Sequence, residues 1–307
     1  MACELHESGS FTDSDLERAP CPNGCNGGDL LLHEFERFQI YRCNDCSLVR
    51  LDPRLAESHL EELYERDYFS GHHATGYDTY ELDQQHHELT AARRLSLIKQ
   101  YKSHGKLLDI GCGFGYFLNV AAREGFEVYG LDVSTHAVEI CRSRFDGRVR
   151  QGLLKPDAFP PAMFDVVTMF DLFEHVYHPA AFLSIINDIT TPDAIVIITT
   201  PNHRSLLSRI SGRNWVSYKL PEHVFYYTPE TLRRIIKPHF EMETIQSAGQ
   251  FCSLQFLAER LKTVNRPLGK MMLPLVKSLG VSDRVVYVNS GSMMVLLRKT
   301  QPGISPG

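Results

Sequence analysis

A short apolar run, Leu107-Leu-Asp-Ile110, ends in Gly111-Cys-Gly-Phe-Gly115, and apolar residues then recur at helical spacing across 116–124. Three glycines in five positions allow left-handed φ values and a close backbone approach to a ligand that a Cβ would forbid. A strand that turns this tightly into a helix fits an open α/β sheet, which binds ligands at the carboxyl ends of its strands. The next run, Glu127-Val-Tyr-Gly-Leu-Asp132, is strand-like and ends on an acid, and a second helical pattern covers 135–144. An acid about 20 residues beyond the loop can accept hydrogen bonds from both hydroxyls of a ribose. Gly111, Gly113, Gly115 and Asp132 therefore point to a nucleoside-containing ligand. The rival reading is a tight strand-to-helix turn with no ligand.

The alternation continues with strand patterns at 149–152, 164–170 and 194–200 and a helix at 179–189. It predicts an α/β fold with a mainly parallel, Rossmann-like sheet covered by helices on both faces. Beyond Pro201 a polar loop carries the only tryptophan, Trp215. A helix at 229–236, a strand near 242–247, a helix near 252–263 and a last strand near 292–298 are expected after it. Upstream, helical spacing appears at 57–64 and 81–101, and two short strands fit 30–35 and 38–41.

Of eight cysteines, four are clustered as Cys21-x3-Cys25 and Cys43-x2-Cys46 with 17 residues between the pairs. Two such knuckles can deliver four thiolates to one tetrahedral zinc. The N-terminus has no basic and apolar leader, which predicts a cytoplasmic, reducing location where metal explains the cluster better than disulfides. A closed four-thiolate site implies a structural role. The expected layout is a disordered stretch over 1–19, a zinc-ribbon-like β module over 20–50, and a helical linker or lid over 51–104. The α/β domain would occupy 105–300, with a pocket insert at about 201–228 and a disordered tail at 301–307.

Composition limits the partners. With 32 Lys and Arg against 37 Asp and Glu, the net charge of −5 gives no overall attraction to nucleic acid or an anionic membrane. No apolar run approaches the roughly 18–20 residues needed to cross a bilayer. Around the cysteines, Arg37, Arg42 and Arg50 alternate with Asp29, Glu34, Glu36 and Asp45, so the module carries no basic patch.

The spacing of the glycines selects among nucleosides, because a dinucleotide fingerprint places its third glycine at position 116, which here is Tyr. The order Asp109-x-Gly-x-Gly-x-Gly115, then Gly130-Leu-Asp-Val-Ser134, then Phe164-Asp-Val-Val-Thr-Met-Phe-Asp171 resembles class I S-adenosylmethionine-dependent methyltransferases over roughly 105–300. The resemblance implies cofactor contacts from Asp109, Gly111, Cys112, Gly113, Gly115, Tyr116 and Phe117, from Asp132 and Val133, from Leu153, and from Phe170 and Asp171. Many members place an acid after the third strand; here Gly152 precedes Leu153 and Leu154, leaving Asp157 or a backbone group for the adenine amine.

Asp171-Leu-Phe-Glu-His175 is similar to the motif of ubiquinone-pathway O-methyltransferases. By that resemblance Asp171, Glu174 and His175 could hold magnesium, and His175 is the first candidate for general base. The alternative is that Glu174 and His175 cap and pack the next helix. In Pro221-Glu-His-Val-Phe-Tyr-Tyr-Thr-Pro-Glu230, His223 is the second candidate base, Trp215 and Tyr226 are expected substrate contacts, and Thr228 with Pro229 reads as a helix N-cap. Tyr68, with Phe69, His72, His73 and Tyr77, is expected on a lid. The leading expectation is methyl transfer to a small-molecule acceptor in secondary-metabolite or glycan tailoring, O-methylation ahead of C-methylation of an activated sugar. The competing expectations are a nucleic-acid-binding zinc-ribbon protein or RNA methyltransferase, and an NAD-dependent oxidoreductase.

Overall fold

The computed structural model describes residues 11–59, 77–264 and 266–300. Among the described residues, five short strands come first, β1 (Leu16–Glu17), β2 (Asp29–Glu34), β3 (Gln39–Cys43), β4 (Val49–Leu51) and β5 (Arg54–Leu55), and then helix α1 (Tyr77–Ile98). The alternating part follows as β6 (Gly105–Ile110), α2 (Tyr116–Arg123), β7 (Phe126–Asp132), α3 (Thr135–Arg142), β8 (Val149–Gln151), β9 (Phe164–Phe170), α4 (Pro179–Ile189) and β10 (Thr190–Pro201). After it come α5 (Leu206–Ser211), β11 (Phe225–Tyr226), α6 (Pro229–Ile236), β12 (Phe240–Ser253), α7 (Leu254–Val264), α8 (Arg266–Ser278) and β13 (Val285–Lys299).

Seven strands form the main sheet in the order β12-β13-β10-β9-β6-β7-β8. β8, β7, β6, β9 and β10 run parallel, and β13 lies antiparallel between β10 and β12. The central runs of β9 and β10 are apolar because helices cover both faces: Val166, Ile195 and Ile197 pack to one side, Val167, Met169, Val196 and Ile198 to the other. Ser134 caps α3 by accepting from the Ala137 amide at 3.2 Å. Thr228 caps α6 as expected, accepting from the Thr231 amide at 3.2 Å with Pro229 at the first helical position.

Two differences from the sequence reading stand out. β12 and β13 are far longer than expected, because they continue as a two-stranded ribbon from Gly249↔Asn289 to Ser253↔Val285, past the edge of β10. The register shifts at Ala248/Gly249, where a Cβ on Gly249 would meet the Val288 carbonyl oxygen at 2.2 Å. Residues 11–19 also differ from the expected disorder. Phe11 is buried with Leu55, and β1 pairs antiparallel with β5.

The cysteine module is not a self-contained unit. Its sheet has the order β11-β4-β3-β2, so the fourth strand comes from the segment after β10, with Phe225 opposite Arg50 and Tyr226 opposite Val49. Phe35, Phe38, Ile40, Val49 and Leu51 then bury Trp215, Tyr218, Leu220 and Tyr226 in one cluster. Arg54 ties the same region to the main domain: its guanidinium lies 4.1 Å from the Tyr177 ring centroid and donates to the Tyr177 carbonyl at 3.3 Å. Among the described residues, no helix is long and apolar enough to cross a membrane.

Candidate active site

Two cavities open at the carboxyl ends of β6, β7 and β9, of about 480 and 500 Å³. Both are lined by Gly111, Asp171 and Lys219, so they meet at the glycine loop. The first also takes in Asp132, Val133, Leu153, Leu154, Leu172, His175 and Glu222. The second takes in Asp109, Cys112, Gly113, Tyr116, Phe117 and Phe170, together with His87 and Arg94 of α1 and Phe251, Phe256 and Arg260 of the C-terminal part.

The loop geometry follows from its glycines. Gly111 has φ 74° and donates its amide to the Leu131 carbonyl at 2.7 Å. Gly115 has φ 76°, and a Cβ there would meet Phe145 at 2.8 Å and Cys141 Sγ at 2.9 Å. Gly115 therefore makes the turn into α2 and lines neither cavity. Asp132 binds the loop from β7: its Oδ2 accepts from the Gly113 amide at 2.7 Å and its Oδ1 from the Ser134 amide at 2.9 Å. A carboxylate has about four lone-pair sites, so this one retains acceptor capacity toward the first cavity.

Asp109 is almost fully enclosed and accepts from Thr168 Oγ1 at 2.6 Å. Burial pushes its carboxyl up to about 7, against the opposing pull of the Thr168 hydrogen bond and the Arg94 charge. Because the folded value lies above the ordinary 3.8, the folded protein holds a proton that the unfolded chain releases. That contribution to stability is complete below about pH 4 and is lost as pH rises toward 7. Asp109→Asn should accordingly remove a decline of about 1.4 kcal/mol per pH unit within that window, read as a flatter denaturation profile than the parent's. Parallel profiles of parent and variant would refute the protonated state.

Asp171 leaves β9 with φ 55°, a conformation an aspartate tolerates better than most residues. Its amide donates to the Thr199 carbonyl at 3.0 Å and hydroxyl at 2.9 Å, and its carboxylate pairs with Arg94 Nη2 at 3.0 Å. Arg94 also lies 4.4 Å from the Phe170 ring centroid. Sequence reading missed Arg94 and Lys219. Arg94 sits in a helix whose charged residues give no clue to their targets, and Lys219 lies beside the more conspicuous Trp215 and His223.

Several expectations need correction. Trp215 and Tyr226 are fully buried in the cluster beneath the cysteine module and line neither cavity; Lys219 and Glu222 are what that segment contributes. His223 is 3% exposed and also lines neither, which removes it as acceptor base. His175 lines the first cavity, but burial, reinforced by the nearby Lys219 charge, lowers its pKa to about 3. At neutral pH it is a poor proton acceptor. Burial, with the Asp171 charge adding to it, raises Glu174 to about 8, so that carboxyl is held neutral. The expected trio of Asp171, Glu174 and His175 does not form. Glu174 and His175 instead gather with His223, their ligand atoms all within 4.8 Å, while Asp171 turns to Arg94. A set of two imidazoles and one carboxylate does not suit magnesium, which prefers oxygen ligands. Asp157 lines neither cavity, and Tyr68, Phe69, His72 and His73 fall outside the described residues.

The four clustered cysteines do converge. Their sulfurs lie within 4.8 Å of one another, Cys21 Sγ is 3.5 Å from Cys46 Sγ, and Asn23 Nδ2 donates to Cys46 Sγ at 3.3 Å. Four thiolates about 2.3 Å from one ion stand roughly 3.8 Å apart at tetrahedral angles, so the arrangement fits zinc. Burial pushes the Cys25 thiol up to about 11. A bound cation would offset that unfavourable ionisation.

Comparison with known proteins agrees with the motifs. A ubiquinone biosynthesis O-methyltransferase of Leptothrix cholodnii is 31% identical over 145 residues, which is 42% of this chain and 60% of that protein. Its namesake in Cereibacter sphaeroides is 27% identical over 191 residues, 60% of this chain and 70% of that one. The chain thus spans well under the full length of these relatives. A solved SAM dependent methyltransferase from Archaeoglobus fulgidus aligns with a TM-score of 0.47 at 23% identity, over 72% of this chain and 99% of the other. The family described as Methyltransferase domain matches residues 82–239, running from within α1 across the glycine loop to just past α6. That match takes in more than half of the 307 residues, and the chain belongs to the methyltransferase-domain family.

Proposed function

We propose that the chain transfers the methyl group of S-adenosylmethionine to an oxygen of a small-molecule acceptor. The observation that carries this reading is the meeting of the two cavities at Gly111, Asp171 and Lys219. The first, with Asp132 at the β7 tip and the apolar side chains of Val133, Leu153 and Leu154, suits an adenosine. The second, walled by Tyr116, Phe117, Phe170, Phe251 and Phe256, suits the methionine portion and an aromatic or amphiphilic acceptor. The names of the relatives favour oxygen as the receiving atom. When bound, the cofactor supplies an electrophilic methyl on a sulfonium. The protein's part is to align the acceptor hydroxyl with that methyl and exclude water, which can supply much of the rate enhancement on its own.

Zinc at Cys21, Cys25, Cys43 and Cys46 is part of the same proposal, as a structural ion holding the N-terminal module together.

Calorimetry with S-adenosylhomocysteine and with NAD tests the cofactor, and mass detection of methylated products across a panel of phenols and catechols, followed by NMR of the new methyl group to separate O- from C-methylation, tests the receiving atom. Binding of NAD in place of S-adenosylhomocysteine would overturn the reading. Because His175 is held neutral and weakly basic, His175→Ala that remains folded should keep its turnover within about tenfold of the parent at saturating cofactor. A loss in the 10²–10⁴ range expected for a general base would restore it to that role.

A further inference from the structure

From Arg260 to Ser282 the sequence has five Lys and Arg and no Asp or Glu, within a chain whose overall charge is −5. Most of this segment is α8, a helix of 13 residues packed closely on α7: a Cβ on Gly269 would meet the Lys262 Cα at 2.5 Å. Val276 is buried, but Leu268, Met271, Leu275 and Leu279 are 38%, 60%, 45% and 64% exposed. Within α8, Leu268, Met271 and Leu275 fall in an arc of about 60° at 3.6 residues per turn, and Leu279 follows in the turn after it, its amide still donating to the Leu275 carbonyl at 3.0 Å. Lys270 and Lys277 are exposed on the far side of the helix axis. An amphipathic helix with a continuous apolar stripe and only cationic charges suits the boundary between lipid headgroups and acyl chains. A helix is about 10 Å across, comparable to the Debye length at physiological salt, so lysines opposite the stripe still feel an anionic surface.

We propose that α8 docks the protein on an anionic lipid surface, lying in the interface without spanning the bilayer. The net charge gives no hint of this, because the acids lie elsewhere in the sequence. The neighbouring helix links the surface to chemistry: Phe256 and Arg260 of α7 line the second cavity, so a docked α8 brings that cavity close to the membrane. The docking itself needs no cofactor and no turnover, so it stands or falls separately from methyl transfer.

The experiment is vesicle flotation of the full chain on phosphatidylcholine alone and on phosphatidylcholine with phosphatidylglycerol, at low and physiological salt, with sedimentation analysis of the same samples. Retention on the anionic vesicles, weakened by salt, is expected. Lys270→Glu with Lys277→Glu should weaken it at least tenfold, given about fivefold per cation near the surface. Met271→Asp with Leu275→Asp should abolish it, with melting temperature and S-adenosylhomocysteine affinity unchanged. The proposal is overturned if the parent fails to float with anionic vesicles, if either double variant floats as well as the parent, or if the stripe variants instead dissociate a dimer of this chain.

Discussion

Cys43→Ser should red-shift the emission of Trp215 and sharply lower the melting temperature. Trp215 is the only tryptophan, and it is fully buried against strands of the cysteine module, so its fluorescence reports on that module directly. If a zinc ion is held there, its apparent binding free energy, on the order of 10 kcal/mol in small zinc domains, is folding free energy for everything the module supports. Here that includes β11 and, next to it, the Lys219–Glu222 stretch of the first cavity wall. Chelation of the parent should reproduce the spectral change, and elemental analysis should find one zinc per chain. Purified parent that contains no zinc, or a Cys43→Ser variant with parental emission and melting temperature, would falsify the assignment.

Asp132→Ala should weaken S-adenosylhomocysteine binding by at least tenfold. The substitution removes the acceptor proposed for the ribose, and it also strands the Gly113 and Ser134 amides that now donate to this carboxylate at 2.7 and 2.9 Å. A hydrogen bond from a ribose hydroxyl to a carboxylate amounts to about 1.5–3 kcal/mol, so losing even one accounts for a tenfold loss, about 1.4 kcal/mol, while the stranded amides lower the stability of the loop itself. Asp132→Asn separates the two roles, since its amide oxygen can still serve one backbone donor while the charge is gone. Calorimetry giving parental affinity for Asp132→Ala would exclude Asp132 as the ribose acceptor.

Much of the α/β domain was legible because its signals are local. The glycine loop, the acid at the β7 tip and the apolar runs of β9 and β10 each declare strand, turn or burial within a few residues. The cysteine cluster was legible for the same reason, since its four members fall in two short knuckles, and their sulfurs converge. What escaped the sequence was pairing across long separations. Nothing near Trp215 or Tyr226 announces that their partners are Phe35, Ile40 and Val49, so aromatic residues that complete a distant core looked like pocket residues. His223 was misread similarly: its chemistry suits a base, but burial decides its protonation, and burial is a property of the fold. Lys219 and Arg94, which do reach the cavities, carry no local signature at all.

The pairing of Arg50 with Phe225 also sets an order of events during synthesis. About 175 residues separate the two partners, so a ribosome adding roughly 5–20 residues per second exposes the N-terminal strands for about 10–35 s before β11 exists. Through that interval β4 lacks the strand that pairs with it in the finished fold, and the apolar residues that later cover Trp215 lack that partner, the condition in which strands recruit neighbouring chains. The nascent protein therefore passes through a period of vulnerability that its finished surface does not reveal. Growth temperature, translation speed and chaperone supply should influence the yield of native protein more strongly than the stability of the completed fold would suggest.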